Sequence, residues 1–326
     1  MLSYGEAAHV VDASGLVARD PFCAYLSGFF WLMCGDRTKS RSALLSPLLA
    51  GSVDARIVDV RDRLAAMLAR ADALAGAGLL DDDALTAWQM ALNGTLLLHE
   101  SPHGFPEPMH GRYAYVSDNP RLLRWGIERL HDVLDGVDGI DVPRIVHAPD
   151  RASRILGTAV ARRFGRPLVA WTPALGSPHD ALVVAWTLEA VGDAGFMKAL
   201  HDHAPGQVLF VHGSAWVEPF HAYAPDVTTF LYQTVTNPWT GGALIAGKDP
   251  DKMERAPPDN RSDDALATEI LAAPGGDESA STLALVRRVM MTMRAIVDDH
   301  TAGMFRKNGK RAIQRAGSAV PSARFR

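Results

Sequence analysis

The chain has little cysteine, no dominant charge, no long apolar run and no complete catalytic signature, and each absence removes a class of protein. Two cysteines in 326 residues, Cys23 and Cys34, cannot make a disulfide framework. On one helix they would share a face yet stand about 16 Å apart, beyond disulfide reach. They read as reduced core residues, and the expected location is cytoplasmic. A formal net charge of −4 selects neither for nor against an anionic partner. The run from Pro21 to Cys34, about 14 residues, is too short to span a bilayer and reads as a buried helix. Met1–Asp20 lacks the basic start of a signal peptide, so no membrane span or leader is expected. No internal repeat is present.

What is there is enough apolar material, 48% of the residues, for one large core or two modest ones. Residues 1–140 read as mostly helical. Val53 to Ala77 alternates apolar and charged positions at helical spacing. Asp81 and Asp83 precede a second segment through Leu85, Trp88, Leu92 and Leu96. Asn119-Pro120 is a cap followed by proline at the first helical position, which starts a third. Residues 248–280 read as a linker or loop. Ser281 to Met304 reads as a long helix with Leu285, Val286, Val289, Met290, Met293, Ile296 and Val297 on one stripe, fit for core or for an oligomer contact. The end of the chain is one-sided in charge: Arg306, Lys307, Lys310, Arg311, Arg315, Arg324 and Arg326 occur with no acid among them. That end is expected to be solvated, and only through it would nucleic acid or anionic lipid be a partner.

Residues 141–247 carry the architecture. Arg144–Ala148, Pro167–Trp171, Ala181–Trp186, Gln207–His212 and Val227–Val235 are apolar, β-rich runs separated by helical segments. Ile155, Leu156, Ala159, Val160 and Phe164 give the first crossover helix an apolar face; Asp150 caps it and Gly165 with Pro167 ends it. Runs that are continuously apolar belong to a parallel sheet covered by helices. The expected fold is α/β: a helical N-terminal layer, a central mostly parallel sheet and a long C-terminal helix.

Two groups of residues could carry chemistry. His99-Glu100-Ser101-Pro102-His103 has the letters of a zinc-protease helix, with His110 nearby, but Pro102 breaks the turn that would align the two histidines. A metal site from His99, Glu100, His103 and His110 would therefore have to be built on a loop. The second group follows from the fold, because open parallel sheets bind ligands beyond the carboxyl ends of their strands. Those positions hold His147, Asp150 and Arg151, then Gly192, Asp193 and Gly195, then His212 and Ser214. The glycine spacing fits neither a dinucleotide fingerprint nor a P-loop, and Ser214 lies outside a nucleophile-elbow pattern. A small anionic ligand is the expected occupant, and no cofactor is indicated.

In order and spacing, Arg144–Trp171, Ala181–Asp193 and Gln207–His212 resemble the core of type I phosphoribosyltransferases. That resemblance implies two acids after the hydrophobic strand, holding ribose, followed by a Thr/Gly-rich phosphate loop. Here Ala185-Trp186 stand in place of the acids, and Glu189-Ala-Val-Gly-Asp193 in place of the loop. The resemblance thus implies the scaffold without the transfer activity, and none of that family's functional residues carries over. Two readings follow: a ligand-binding or interaction protein on a degenerate core, and a metal-dependent hydrolase using the histidine cluster.

Overall fold

The computed structural model describes residues 4–81, 83–103, 109–135, 140–217, 223–241, 244–246, 253–276, 280–296, 309–315 and 318–320. The N-terminal layer contains α1 (Tyr4–Ala13), α2 (Pro21–Met33), α3 (Arg37–Leu44), α4 (Pro47–Ala50), α5 (Ala55–Gly76) and α6 (Leu85–Asn93). Aspartates start three of them: Asp20, Asp36 and Asp54 each accept a hydrogen bond from a first-turn amide, satisfying donors that have no partner inside the helix. The apolar run Pro21–Met33 is a helix that buries Ala24, Tyr25, Trp31 and Leu32. No helix among the described residues is long and apolar enough to cross a membrane. Both cysteines are free, but neither is core: Cys34 is exposed, since the helix ends before it, and Cys23 is half-buried.

The sheet contains β1 (Leu96–Leu97), β2 (Tyr113–Ser117), β3 (Ile145–His147), β4 (Leu168–Ala170), β5 (Ala181–Ala185), β6 (Gln207–Ala215) and β7 (Val227–Thr236), with α7 (Pro120–Leu134), α8 (Arg151–Phe164) and α9 (Ala194–His201) between strands. The strand order is β1-β7-β6-β5-β3-β4, with β2 also on β7, and every ladder is parallel. β1 and β2 share one edge of β7, Leu96 opposite Val227 and Tyr113 opposite Tyr232. The N-terminal third is therefore not purely helical. Alternation along the strands divides the apolar side chains: Leu182, Val184, Val208, Phe210, Val227 and Leu231 join the core under α7 and α8, whereas Val183, Ala185, Leu209 and Val211 face α9. From β3 the chain moves out to β4, then returns across β3 to β5 and continues through β6 to β7. The direction of winding thus reverses between β3 and β5.

Beyond the sheet lie a hairpin of β8 (Leu244–Ala246) and β9 (Met253–Arg255), then α10 (Asp263–Ala272) and α11 (Ala280–Arg294). The segment expected to be a linker contains α10, whose Leu266, Ala267 and Ile270 are fully buried. Arg151 and Arg154 of α8 both pair with Asp263, at 3.0 and 2.5 Å, and fix its start. In α11 the stripe Val286, Val289, Met290 and Met293 joins the main core, leaving Leu285 and Met291 partly exposed. The expected continuation over 297–304 lies outside the described residues, as do Arg306, Lys307, Arg324 and Arg326. Arg311 corrects the picture of a solvated basic end: its guanidinium is buried against Asp226. A buried acid partner, not composition, decides where that charge sits.

Candidate functional site

The carboxyl ends of β2, β3, β5 and β6 are joined by one line of hydrogen bonds. It starts at Asp150, whose Oδ1 accepts from the Ser153 amide at 2.9 Å and caps α8. The Ser153 hydroxyl accepts from the Trp186 amide at 2.9 Å, which fixes the turn after β5. The Trp186 indole N–H donates to Asp118 Oδ2 at 2.7 Å, and Asp118 also accepts from the Asn119 amide at 2.8 Å. His212 Nε2 lies 3.4 Å from Asp118 Oδ1, and His212 Nδ1 lies 3.1 Å from the Thr229 hydroxyl. A carboxylate only accepts, so in the His212–Asp118 hydrogen bond the proton is carried by Nε2.

Aspartate, histidine and a hydroxyl in series are the order of a nucleophile, its base and its orienting acid. Burial decides against that role. His212 and Thr229 are 0% exposed and Asp118 is 4% exposed. A helix also covers them: a Cβ on Gly126 of α7 would stand 2.5 Å from Thr229 Oγ1 and 3.0 Å from His212 Nδ1. With no room for a substrate carbon above the hydroxyl, the line is a structural polar junction between sheet and helices. Ser214 is similarly enclosed, sharing a hydrogen bond with Thr228 at 2.9 Å.

The other residues expected at the strand ends follow β3 and β5, the two strands at the winding reversal, and their polar groups are committed locally. His147 is buried beneath α8, where a Cβ on Gly157 would approach its Cβ to 2.7 Å. Burial lowers its pKa, and Nδ1–H donates to the Ala148 carbonyl at 2.7 Å, so it is a neutral imidazole at pH 7. Arg151 turns away to Asp263 and to the carbonyls of Asp259 and Arg261. Gly192 has φ +63 and makes the turn before α9, where Asp193 accepts from the Phe196 amide at 2.8 Å. Gly195 lies in the first turn of that helix. The α8 and α9 N-termini, which would otherwise offer amides to an anion, are thus capped by their own carboxylates. That arrangement disfavours the small anionic ligand expected from the sequence. Asp150 retains one feature that fits a ligand: its Oδ2 is buried and has no hydrogen-bond partner among the described residues.

In the turn after β5, Glu189 Oε2 accepts from the Tyr232 hydroxyl at 3.1 Å. Although the residue reaches the surface, crowding around the carboxyl raises its pKa, and burial with the nearby Glu189 charge raises that of Tyr232. A carboxyl raised in the folded state stabilises most below its ordinary value of 4.5 and loses that contribution as pH rises through the folded value. Glu189→Gln is therefore expected to gain in melting temperature relative to wild type as pH rises above 4.5. A constant or shrinking difference in thermal scans would refute the assignment.

The histidine cluster does not assemble. Among the described residues no group of three His, Cys, Asp or Glu side chains is placed to hold a metal. His99 Nε2 bonds the Tyr113 hydroxyl at 2.7 Å, and its ring meets Trp125 edge-on. Glu100 accepts from the Thr86 amide and hydroxyl at 2.9 and 2.8 Å and so caps the start of α6. Its charge also supports the buried Arg112, whose pKa falls to about 10 through burial. His103 is exposed on the turn that Pro102 imposes, and His110 lies 3.8 Å from Asp83 with φ +43. These are four separate structural environments, the physical outcome of proline where a helix would be needed.

The residues that matter most at this end of the sheet, Asp118, Ser153, Trp186 and Thr229, carry no motif. Asp118 had one local sign, its place beside the cap Asn119-Pro120. No protein-family model matches the chain, and no curated protein or solved structure matches it.

Proposed function

We propose that the chain is a ligand-binding protein without transferase activity, on a phosphoribosyltransferase-like sheet, and that its ligand lies over the β3–β5 switch and presents a hydrogen-bond donor to Asp150. The carrying observation is Asp150 Oδ2, a buried acceptor with no partner among the described residues; the residue itself is half-buried, and a ligand donor reaches this oxygen once the carboxylate turns outward. A buried polar atom of this kind costs about 1–3 kcal/mol if left unmatched, and a hydroxyl or amine of a ligand would remove that cost. Asp150 and Asp193 place a carboxylate at each of the two helix N-termini, His147 supplies no charge, and Arg151 and Arg154 are both drawn to Asp263. A polyol or an amine suits that chemistry, and a phosphate does not. The parallel order of β4, β3, β5, β6 and β7 supports the scaffold half of the reading, and Ala185-Trp186 in place of acids supports the loss of transfer activity.

Asp150→Ser tests the site, because serine caps a helix about as well as aspartate and removes the second oxygen. Ribose and putrescine are the donor probes; ribose 5-phosphate and pyrophosphate are the anionic ones. At about 100 times the dissociation constant a bound ligand adds about 2.7 kcal/mol, a rise of roughly 5 °C in melting temperature. A rise with a donor probe in wild type, lost in Asp150→Ser, is the expected result. A rise with pyrophosphate that persists in the variant would overturn the reading.

A further inference from the structure

The C-terminal segment meets residues at the amino ends of β6 and β7 and, through Gln314, the last residue of β6, and what seats it is almost wholly polar. The His203 amide donates to the Gly309 carbonyl at 2.7 Å, the Arg311 amide to His201 at 2.8 Å and the Ala224 amide to Ala312 at 2.8 Å. Two isolated antiparallel bridges, Asp202 with Lys310 and Tyr223 with Ile313, are its sheet-like contacts. Between them Arg311 enters the protein. Its two terminal nitrogens donate to the two Asp226 oxygens at 3.0 and 2.9 Å, and one also to Gln207 Oε1 at 2.7 Å. Asp226 Oδ2 in turn accepts from the Leu209 amide at 2.7 Å, and His203 Nε2 lies 3.8 Å from it. The side chains of Arg311 and Asp226 are 2% and 1% exposed. Further along, Gln314 donates to the Ala215 carbonyl and the Arg315 amide to Asn93.

Few apolar side chains of the segment enter the core. Over 309–315 and 318–320 the buried residues are Arg311, Gln314, Ser318 and Val320, and only Val320 is apolar; Ile313 is 42% exposed. Apolar burial is what ties a segment to the cooperative unfolding of its domain, and segments lacking it open on their own. We propose that residues 309–315 form a clasp that opens as one unit while the sheet stays folded, held shut by the Arg311–Asp226 pair. Opening gives water access to Asp226, Gln207 and His203 together, a slot built for a guanidinium and filled by the chain's own Arg311. The Arg311–Asp226 pair that holds the clasp does not include Asp150 or any other residue of the proposed ligand site.

Amide hydrogen exchange on the full chain tests it. The His203, Ala224 and Arg311 amides report the clasp; the Ala148, Leu182 and Gly213 amides, bonded to Val184, Arg144 and Trp186, report the sheet. In wild type the three clasp amides are expected to share one opening rate, at least about 100-fold faster than the sheet amides. Arg311→Met leaves Asp226 without its partner and is expected to speed the clasp amides by about 100-fold more, with the sheet amides changed less than about threefold. Clasp and sheet amides exchanging together in wild type would overturn the proposal, as would three unrelated clasp rates, and neither outcome depends on the variant folding.

Discussion

Asp118→Ala is expected to lower the unfolding free energy by about 4 kcal/mol, the largest effect of any single substitution at this end of the sheet. The reason is what the carboxylate leaves behind. The Trp186 indole N–H and His212 Nε2–H both point at it, and both residues are buried, at 4% and 0% exposure. Each buried donor without an acceptor costs about 1–3 kcal/mol, and the Asn119 amide at the start of α7 loses its partner as well. Asp118→Asn should cost nearly as much, because its amide nitrogen is a donor set against at least one of these three donors. Urea unfolding of the three proteins measures this directly. A loss below about 1 kcal/mol in Asp118→Ala would mean that water reaches the junction and the polar line is not sealed.

Gly126→Ala is expected to destabilise by about 2 kcal/mol, against the ordinary trend for such a change. Alanine for glycine inside a helix normally gains about 1 kcal/mol from backbone entropy and propensity. Here the added carbon would stand 2.5 Å from Thr229 Oγ1 and 3.0 Å from His212 Nδ1, so α7 must lift from the sheet or the junction must break. Overpacking of this kind costs about 1–3 kcal/mol and more where the neighbours are fixed, which outweighs the propensity gain. Thr229→Ala removes the closest atom, so the double variant should fall short of additivity by more than about 1 kcal/mol. Additive losses would place the strain elsewhere. Melting curves of the two single variants and the double variant decide the point.

The sheet was legible in the sequence because its runs are apolar on both faces, and five of its strands stand where those runs predict. Caps were legible for the same local reason: Asp150 and Asn119-Pro120 act through amides two or three residues away. β1 and β2 were not, since β1 is only two residues long, set off from α6 by Gly94 and Thr95 alone, and β2 is held by β7 more than a hundred residues later. The polar line was hidden for a related reason. Asp118, Ser153, Trp186 and His212 are brought together by strand order, and no spacing along the chain encodes that order. The histidine cluster erred in the other direction, since adjacency in sequence suggested a site that Pro102 prevents. Arg311 looked like one of seven solvated basic residues because its partner Asp226 lies 85 positions away.

On the function proposed above, the β3–β5 switch closes its own helix N-termini and so refuses phosphate while keeping an acceptor at Asp150. The most direct test is a titration of pyrophosphate into isotope-labelled protein, following the amides of Arg151, Ala152, Ser153 and of Asp193, Ala194, Gly195, Phe196 by NMR. The account predicts no saturable shift at either turn up to concentrations of about 10 mM, some tenfold above a weak millimolar dissociation constant. Saturable shifts at both turns would contradict it and return the crevice to an anion site.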